Sequence, residues 1–523
     1  MRIFKLLMLS ALLLPVCFSG MAQFKQVATS SSFDEPVGGV AKIMVKADGG
    51  AMFVRVPFKD DPIDVRVFDP AHKQIATTSF SASYGKLKEI SLEGFFEIGG
   101  DGVLMISGYN DKVPTLYRLV IDGQTGKLKS EEKLAELKKL SFGMGYAVAF
   151  GGMSLPDFNV AKDPNSDNYA VALFNSFESE RSKRIEIIAY GKDNKETARA
   201  YYSSPEEKFK YLDFVGMTVI GAEKVSVLVS AYNTASSGGK ERQMILANLD
   251  KGASQVSFNE LNFPKDSLLE NGLVRYNPIT KKIVVVAKLY KKKSKDARMY
   301  IGFVDPFTKK NEEVMSGYIT QTLIDKSKAI FGKKYDYYGT PLQLHINNDG
   351  GFSVVYEEIR VVSSSQSSHV ELGNIVAATY NRKGDPVSNY FIPKDFWIDS
   401  KGTLTYGSGF ANEYKKSAYI NGANKSYVLI NDHRKNIERL EKEKEPAQVQ
   451  TVGGTDAFYF TLTGSDPVPQ RKYLFGESDE KADRNLSPFG ISAYDSKNDL
   501  FVVLKLEKSG RDKSVSVVWL KPQ

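Results

Sequence analysis

The chain has few of the residues on which most metal and redox sites depend. Its 523 residues include one cysteine, Cys17, and four histidines, which are His72, His345, His369 and His433. A single thiol cannot form an internal disulfide or a thiolate metal cluster. The histidines are distant in sequence and none forms an HxH or HExxH pair, so isolated surface or loop positions are expected for them. The sequence therefore predicts no metal site and no cofactor.

Recognisable catalytic motifs are also missing from the sequence. There is no GxSxG nucleophile motif, and no glycine-rich phosphate loop stands before a helical segment. Only two tryptophans, Trp397 and Trp519, are present, which leaves any broad sugar-stacking surface to the 27 tyrosines. No catalytic residue is predicted, and function has to be argued from the fold.

The first residues have the features of an export signal. Arg2 and Lys5 precede an apolar run at 6–16, and Gly-Met-Ala at 20–22 provides small residues for a cleavage site. We expect a signal peptide over residues 1–22, whose removal also removes Cys17, and a periplasmic or extracellular mature chain that begins at Gln23. An uncleaved membrane anchor and a lipid on Cys17 are the alternatives. No other apolar run is long enough to span a bilayer, so no transmembrane segment is expected after cleavage.

Two kinds of turn recur along the rest of the chain with a period of roughly 50 to 75 residues, which indicates a repeat architecture. The turns are rich in Asp, Asn, Gly and Pro, which reverse antiparallel strands tightly. Each repeat has an apolar strand after the first turn, which we interpret as its inner strand. Eight such strands are found, at 51–56, 103–108, 169–174, 225–231, 283–289, 352–356, 426–431 and 500–506.

This pattern predicts an all-β fold, a single β-propeller over residues 23–523. Radial closure of four-stranded units leaves only short sheet edges, unlike an open sandwich of this length. Eight blades are expected, with seven as the main alternative. The last repeat lacks an outer strand, and the segment 24–32 could supply it and close the ring. Loop insertions are expected near 318–338, where helical spacing appears, and near 432–448.

One constellation of side chains follows from the repeat itself. Four of the predicted strands end in asparagine, two of them after a tyrosine, and tyrosines occupy the matching place in two other repeats. In a propeller these positions lie near one face, where they could form a polar collar for a ligand, although asparagine also commonly ends strands. The candidate ligand-binding residues are Asn110, Asn175, Asn233, Asn431, Tyr109, Tyr232, Tyr290 and Tyr356.

The Met-Ala-Gln at 21–23, the lack of cysteine beyond it and the repeats rich in Tyr, Lys and Asn resemble exported propeller-like proteins of Bacteroidota, most of which have no assigned activity. The formal net charge of +8 is small for this length, and nucleic acid is not expected as a partner of an exported chain. The leading functional hypothesis is a non-enzymatic binding or scaffold protein of the bacterial cell envelope, which holds a protein or glycan partner on its loops. The alternative is a hydrolase or lyase with its active site in the central channel.

Overall fold

The protein forms a ring of eight antiparallel sheets in a computed structural model. The structure describes residues 24–523 except 37, 59–60, 86, 140–154, 176, 203–207, 234–241, 262–266, 292–296, 309, 316–319, 333–334, 364–367, 400–409, 478–482 and 511. The predicted signal peptide and Cys17 lie outside the described residues. The predicted all-β, eight-bladed propeller is confirmed.

The chain begins with β1 (Phe24–Thr29), and the first four complete blades follow it. Blade 1 comprises β2 (Val40–Val45), β3 (Ala51–Val56), β4 (Ile63–Phe68) and β5 (Gln74–Phe80). Blade 2 comprises β6 (Lys88–Ile98), β7 (Asp101–Asn110), β8 (Val113–Ile121) and β9 (Leu128–Glu136). Blade 3 comprises β10 (Asp157–Lys162), β11 (Tyr169–Phe174), β12 (Ile185–Tyr190) and β13 (Glu196–Tyr202). Blade 4 comprises β14 (Tyr211–Ile220), β15 (Lys224–Tyr232), β16 (Arg242–Asp250) and β17 (Ser257–Leu261).

The remaining blades have the same strand order. Blade 5 comprises β18 (Ser267–Asn277), β19 (Lys282–Lys291), β20 (Ala297–Val304) and β21 (Asn311–Met315). Blade 6 comprises β22 (Thr340–Ile346), β23 (Phe352–Ser363), β24 (Ser368–Tyr380) and β25 (Pro386–Ile392), with β26 (Phe396–Asp399) added beside β24. Blade 7 comprises β27 (Ala418–Asn421), β28 (Ser426–Asp432), β29 (Asp456–Leu462) and β30 (Arg471–Tyr473). Blade 8 comprises β31 (Arg484–Leu486), β32 (Ala493–Asp495), β33 (Leu500–Ser509) and β34 (Asp512–Pro522).

The N-terminal strand closes the ring, as the sequence predicts. Strand β1 pairs antiparallel with β34 and becomes the outer strand of blade 8. The pairing continues after β1, where Ser30 N–H donates to the Val517 carbonyl and Phe33 forms a bridge with Val515. Both ends of the described chain are therefore held in one blade.

The eight strands predicted as innermost are the second strands of their blades, which corrects that part of the prediction. They correspond to β3, β7, β11, β15, β19, β23, β28 and β33, and a further strand lies inside each of them. Second strands bury both faces against neighbouring blades, so they have continuous apolar runs. All nine residues of β15, for example, are buried. The innermost strands face the central channel on one side and are more polar.

The predicted turns adopt the backbone conformations that their residues favour. Gly350 and Asp499 have positive φ in turns between the first and second strands of blades 6 and 8. Gly126 has a φ of +69° in the turn between the third and fourth strands of blade 2. Such conformations are easiest for Gly, Asn and Asp, so these turns set where each strand starts.

Three α-helices lie outside the sheets in the part of the chain that the structure describes. They are α1 (Gln321–Phe331), α2 (Phe410–Glu413) and α3 (Lys435–Glu441). Helix α1 falls in the first predicted insertion and α3 in the second. The Thr320 hydroxyl accepts from the Leu323 amide at the start of α1, and Leu323 and Ile330 are buried on its inner face. In the described part of the chain, no helix has the length and apolar character that a bilayer crossing requires.

Four innermost strands contain a β-bulge. In β6, β14, β18 and β22 the pairing with the second strand skips one residue, at Glu93, Val215, Glu270 and Leu342. A bulge bends a strand and changes the direction of the side chains that follow it. These bulges occur in blades 2, 4, 5 and 6. Between blades 2 and 6, blade 3 is therefore the one whose described innermost strand pairs without a bulge.

Candidate functional site

The innermost strands of blades 3 to 6 enclose a cavity of about 470 Å³ at the centre of the ring. Most of its wall is aliphatic, as at Val160, Met217, Leu273 and Leu344. Four polar side chains interrupt this wall: Lys162, Arg275, Gln343 and His345. A cavity of this size with few polar groups in an apolar wall is typical of a small-molecule site.

Arg275 lies near the end of β18 and pairs across its sheet with Val284. Its side chain lies inside the ring. Its exposed surface faces the central cavity. Burial lowers the pKa of its guanidinium, and no carboxylate raises it again. Among the described residues none accepts a hydrogen bond from Arg275, so its donors remain available to a ligand.

His345 lies on the neighbouring strand β22, where it pairs with Ser353. Its Nε2 is 3.1 Å from Gln343 Oε1, and its ring centroid is 4.7 Å from that of Tyr419 in blade 7. An amide oxygen only accepts, so the neutral ring carries its proton on Nε2 and leaves Nδ1 as an acceptor. Burial, and then the charge of Arg275, lower the pKa of His345 to about 4.

Lys162 differs from Arg275 because groups of the protein already bind its ammonium group. Its Nζ donates to the Ser166 carbonyl at 2.7 Å and to the Asp163 carbonyl at 3.2 Å, and Asp167 lies 3.8 Å away. The hydrolase or lyase hypothesis expects carboxylates, histidines or tyrosines from several blades to meet in the channel. The titratable side chains among the described residues that line this cavity are Lys162, Arg275 and His345.

Of the other histidines, His72 lies in blade 1 and His433 in blade 7, and His369 shares blade 6 with His345 but lies on another strand. His72 stacks on Trp519 with ring centroids 5.0 Å apart, and His433 Nδ1 lies 3.2 Å from the Gly454 carbonyl oxygen. His345 was expected at an isolated surface or loop position and instead lines the central cavity. Within the described ranges, no three His, Cys, Asp or Glu side chains are arranged to hold a metal ion.

The four predicted asparagines all end second strands, or directly follow them, but their side chains have different uses. Asn175 Oδ1 accepts from the Phe177 amide in its own loop. Asn233 bonds the backbone of Lys208 and Lys210. The buried Asn431 donates to the carbonyls of Tyr414 and Ser487 and accepts from the Ser487 amide. Asn110 is exposed in a tight turn.

The four predicted tyrosines also have separate surroundings. Tyr356 is fully buried and its hydroxyl lies 3.1 Å from that of Tyr380. Tyr232 is buried and stacks on Tyr211 with centroids 5.4 Å apart. Tyr109 is half-buried beside β6, and Lys288 Nζ lies 5.2 Å from the ring centroid of Tyr290. At Asn175, Asn233, Asn431 and Tyr356, the described contacts join parts of the fold to one another.

A second surface arises from blade 6, and we call it the blade-6 extension. It consists of residues 359–363 of β23, residues 368–372 of β24, and β26. A register shift at Glu358 marks the point where it leaves the blade. Strand β22 pairs with β23 only as far as Glu357, and beyond it no described strand pairs with that edge. The extension lies at the opposite end of its strands from the turn beside His345.

The two faces of the blade-6 extension differ in chemistry. One face buries Val370, Leu372, Phe396 and Ile398 against Val449. The opposite face carries charged and aromatic groups. Arg360 Nε donates to Glu371 at 2.7 Å, His369 Nε2 lies 3.1 Å from the same carboxylate, and the His369 and Trp397 ring centroids are 5.6 Å apart.

Buried polar contacts hold this extension to the ring. Lys394 and Glu357 form an ion pair in which both side chains are almost fully buried. Glu358 accepts from the Tyr335 hydroxyl at 2.7 Å, and from the Asn374 amide nitrogens at 2.8 and 3.1 Å. Burial raises the pKa of Glu358. Because these groups are paired in a low-dielectric environment, they fix the base of the extension.

Comparison with known proteins adds little beyond the fold. No family model and no curated protein matches the chain. Among solved structures, the chain is similar to the Dos1 propeller, with 11% identity over 95% of both chains and a TM-score of 0.45. It is also similar to the polysaccharide lyase Uly1, with 10% identity over 85% of this chain and 92% of that one and a TM-score of 0.40. Porphyromonas gingivalis dipeptidyl peptidase 4 has 10% identity over 94% of this chain and 58% of its own, with a TM-score of 0.40.

Proposed function

We propose that this protein is a non-enzymatic binding or scaffold protein of the bacterial cell envelope, which holds a protein or glycan partner on the loops of its propeller. The observation that carries the proposal is the blade-6 extension. It presents an aromatic and charged face, and its base is fixed by a buried ion pair and by hydrogen bonds. Rigid surfaces with Trp, Tyr and Arg contribute most of the energy at many interfaces.

The chemistry of the extension suits either kind of partner. Trp397 and His369 offer flat rings on which a sugar ring or an apolar side chain can stack. Arg360 and Glu371 beside them offer donors and acceptors in a planar arrangement. The unpaired edge of β23 beyond Glu357 also provides backbone groups that a partner strand could bond.

The envelope location is part of the same proposal. The features of residues 1–22 and the lack of cysteine after Cys17 support export. We propose a mature chain that begins at Gln23 in the periplasm or outside the cell. N-terminal sequencing of the protein from its own cells tests this, and a retained Met1 or a lipid on Cys17 would exclude it.

Site-specific photo-crosslinking tests the binding role. A photo-reactive benzoylphenylalanine is placed at Val362, which is half-buried and lies opposite His369 on the charged and aromatic face of the extension. The matched control position is Val387, which is 65% exposed on the outer strand of the same blade. We expect a discrete protein or glycan adduct from position 362 and none from position 387. Equal labelling at both positions, or labelling that persists when Trp397→Ala is added, would contradict the proposal.

A further inference from the structure

The central cavity contains a positive charge that the fold does not neutralise. Two buried arginines have a carboxylate partner: Arg118 has Glu132, and Arg471 has Asp432. Arg275 has no such partner among the described residues. The ionisable group that interacts with it is His345. The pKa of His345 is lowered to about 4, so this ring is neutral near pH 7. The guanidinium is exposed to the cavity and no carboxylate of the described chain pairs with it, so a bound anion can take that place.

We propose that the central cavity binds a carboxylate attached to an aliphatic body, and that Arg275 pairs with the carboxylate group. The planar guanidinium can form two parallel hydrogen bonds with a carboxylate. The amide nitrogen of Gln343 lies on the same wall, and its oxygen faces His345. Gln343 can therefore add a donor to the anion while His345 fixes the orientation of the amide.

The rest of the cavity wall determines the second half of the ligand. Val160, Val215, Leu273 and Leu342 come from four different blades, are half-buried, and surround the polar groups. An aliphatic chain that covers these side chains would bury apolar surface at roughly 25 cal/mol per Å². Inorganic phosphate or sulfate would leave this surface in contact with water. The wall therefore favours an amphiphilic acid over a small, fully hydrated anion.

The site is independent of the blade-6 extension. Arg275 and His345 lie near the turns that join first to second strands, whereas the extension grows from the opposite ends of its strands. The carboxylate could belong to a free organic acid or to the C-terminus of an apolar peptide, since the two present the same chemistry. Failure of the crosslinking at Val362 would leave this proposal intact, and the reverse also holds.

Isothermal titration calorimetry on the full chain after signal removal tests the proposal. The probes are octanoate, octanol, inorganic phosphate, and a short apolar peptide with either a free or an amidated C-terminus. We expect saturable binding of octanoate or of the free-carboxyl peptide, and the one that binds identifies the source. Octanol, phosphate and the amidated peptide should bind at least roughly tenfold more weakly, because they lack either the charge or the aliphatic body.

The variant Arg275→Gln should weaken binding of the acid by roughly tenfold or more. Arg298→Gln is the matched control, since Arg298 is exposed on β20 of the same blade and the variant removes the same charge. Thermal unfolding of each variant shows that it is folded. In a folded Arg275→Gln variant, the His345 ring resonances should no longer respond to the acid. The proposal is overturned if neither acid binds, if octanol binds as well as octanoate, or if both arginine variants behave alike.

Discussion

Arg275 and His345 lie on neighbouring innermost strands and line the same cavity, Arg275 opposite Val284 and His345 opposite Ser353. Burial is the larger cause of the low pKa of His345, and the charge of Arg275 is the second. A guanidinium and an imidazole that lie close together inside the ring repel each other when both are charged. The neutral form of the weaker base is therefore favoured. The guanidinium keeps its proton, and the imidazole loses its own.

The first prediction concerns this pair. In Arg275→Gln the pKa of His345 should rise above about 4, because the repulsion by the guanidinium is removed. It should stay below 6.5, because burial still disfavours the charged ring. An NMR titration of the His345 imidazole measures the change, and Arg298→Gln should leave it unaltered. An unchanged pKa in Arg275→Gln would show that the two side chains do not interact.

The second prediction is a dependence of stability on pH. The folded-state pKa of His345 is about 4 and the ordinary value is 6.5, so the unfolded chain binds more protons between these values. Stability from this residue is therefore fully present above pH 6.5 and is lost as the pH falls to 4. The free energy of unfolding of the wild type minus that of His345→Gln should fall over this range by up to about 3 kcal/mol.

Urea unfolding at several pH values measures this difference. Buried carboxylates such as Glu358, whose pKa is raised, change stability in the opposite direction as the pH falls. They are present in both proteins, so their effect cancels in the subtraction. A difference between wild type and His345→Gln that is constant from pH 7 to pH 4 would contradict the prediction.

The third prediction separates structural from ligand-binding asparagines. Asn431→Ala removes a side chain that satisfies the backbone of Tyr414 and Ser487 inside the protein. Leaving those groups unpaired should cost about 2–3 kcal/mol of stability or more. Asn110→Ala, at an exposed turn, should change stability by less than about 0.5 kcal/mol. Denaturant midpoints measure both, and equal effects would argue against a structural role for Asn431.

The fourth prediction concerns the base of the blade-6 extension. Lys394→Met leaves the carboxylate of Glu357 buried without its partner, which should cost about 3–5 kcal/mol. Adding Glu357→Leu removes the orphaned charge, so the double variant should recover much of that loss. A double-mutant cycle from thermal or denaturant unfolding gives the coupling. If the two single losses simply add, the ion pair is not coupled as the structure implies.

The sequence predicts the blades well because their turns are local. Residues such as Lys281, Asp499 and Gly126 adopt positive φ within segments of a few residues, and the apolar second strands stand between them. Closure by β1 follows from counting strands in the last repeat. These features depend on short stretches of chain, which a sequence displays directly.

The central cavity could not be predicted in the same way. Its lining comes from four blades, and bulges at Val215 and Leu342 break the alternation that would indicate which way each side chain points. Arg275 precedes a turn and has no sequence motif. His345 is one of four scattered histidines, and only the meeting of β18 and β22 gives it a charged neighbour. The innermost strands are also less apolar than the second strands, so the continuous apolar runs in the sequence indicate the second strands.

The last prediction tests ring closure. Phe24 is 5% exposed in β1, and its ring packs against Tyr427 and Tyr459 of blade 7 at centroid distances of 4.7 and 5.0 Å. Deleting residues 24–33 removes this contact and the pairing with β34, so the melting temperature of the whole domain should fall. Phe24→Ala alone should cost about 3 kcal/mol or more through the cavity it leaves. Val27→Ala, on the same strand but 44% exposed, should cost less than about 0.5 kcal/mol.

Because a closed ring has no free blade, the loss of stability after the deletion of residues 24–33 should appear as one earlier transition in calorimetry. An unchanged melting temperature after the deletion would mean that β1 is not needed to hold blade 8 in the ring.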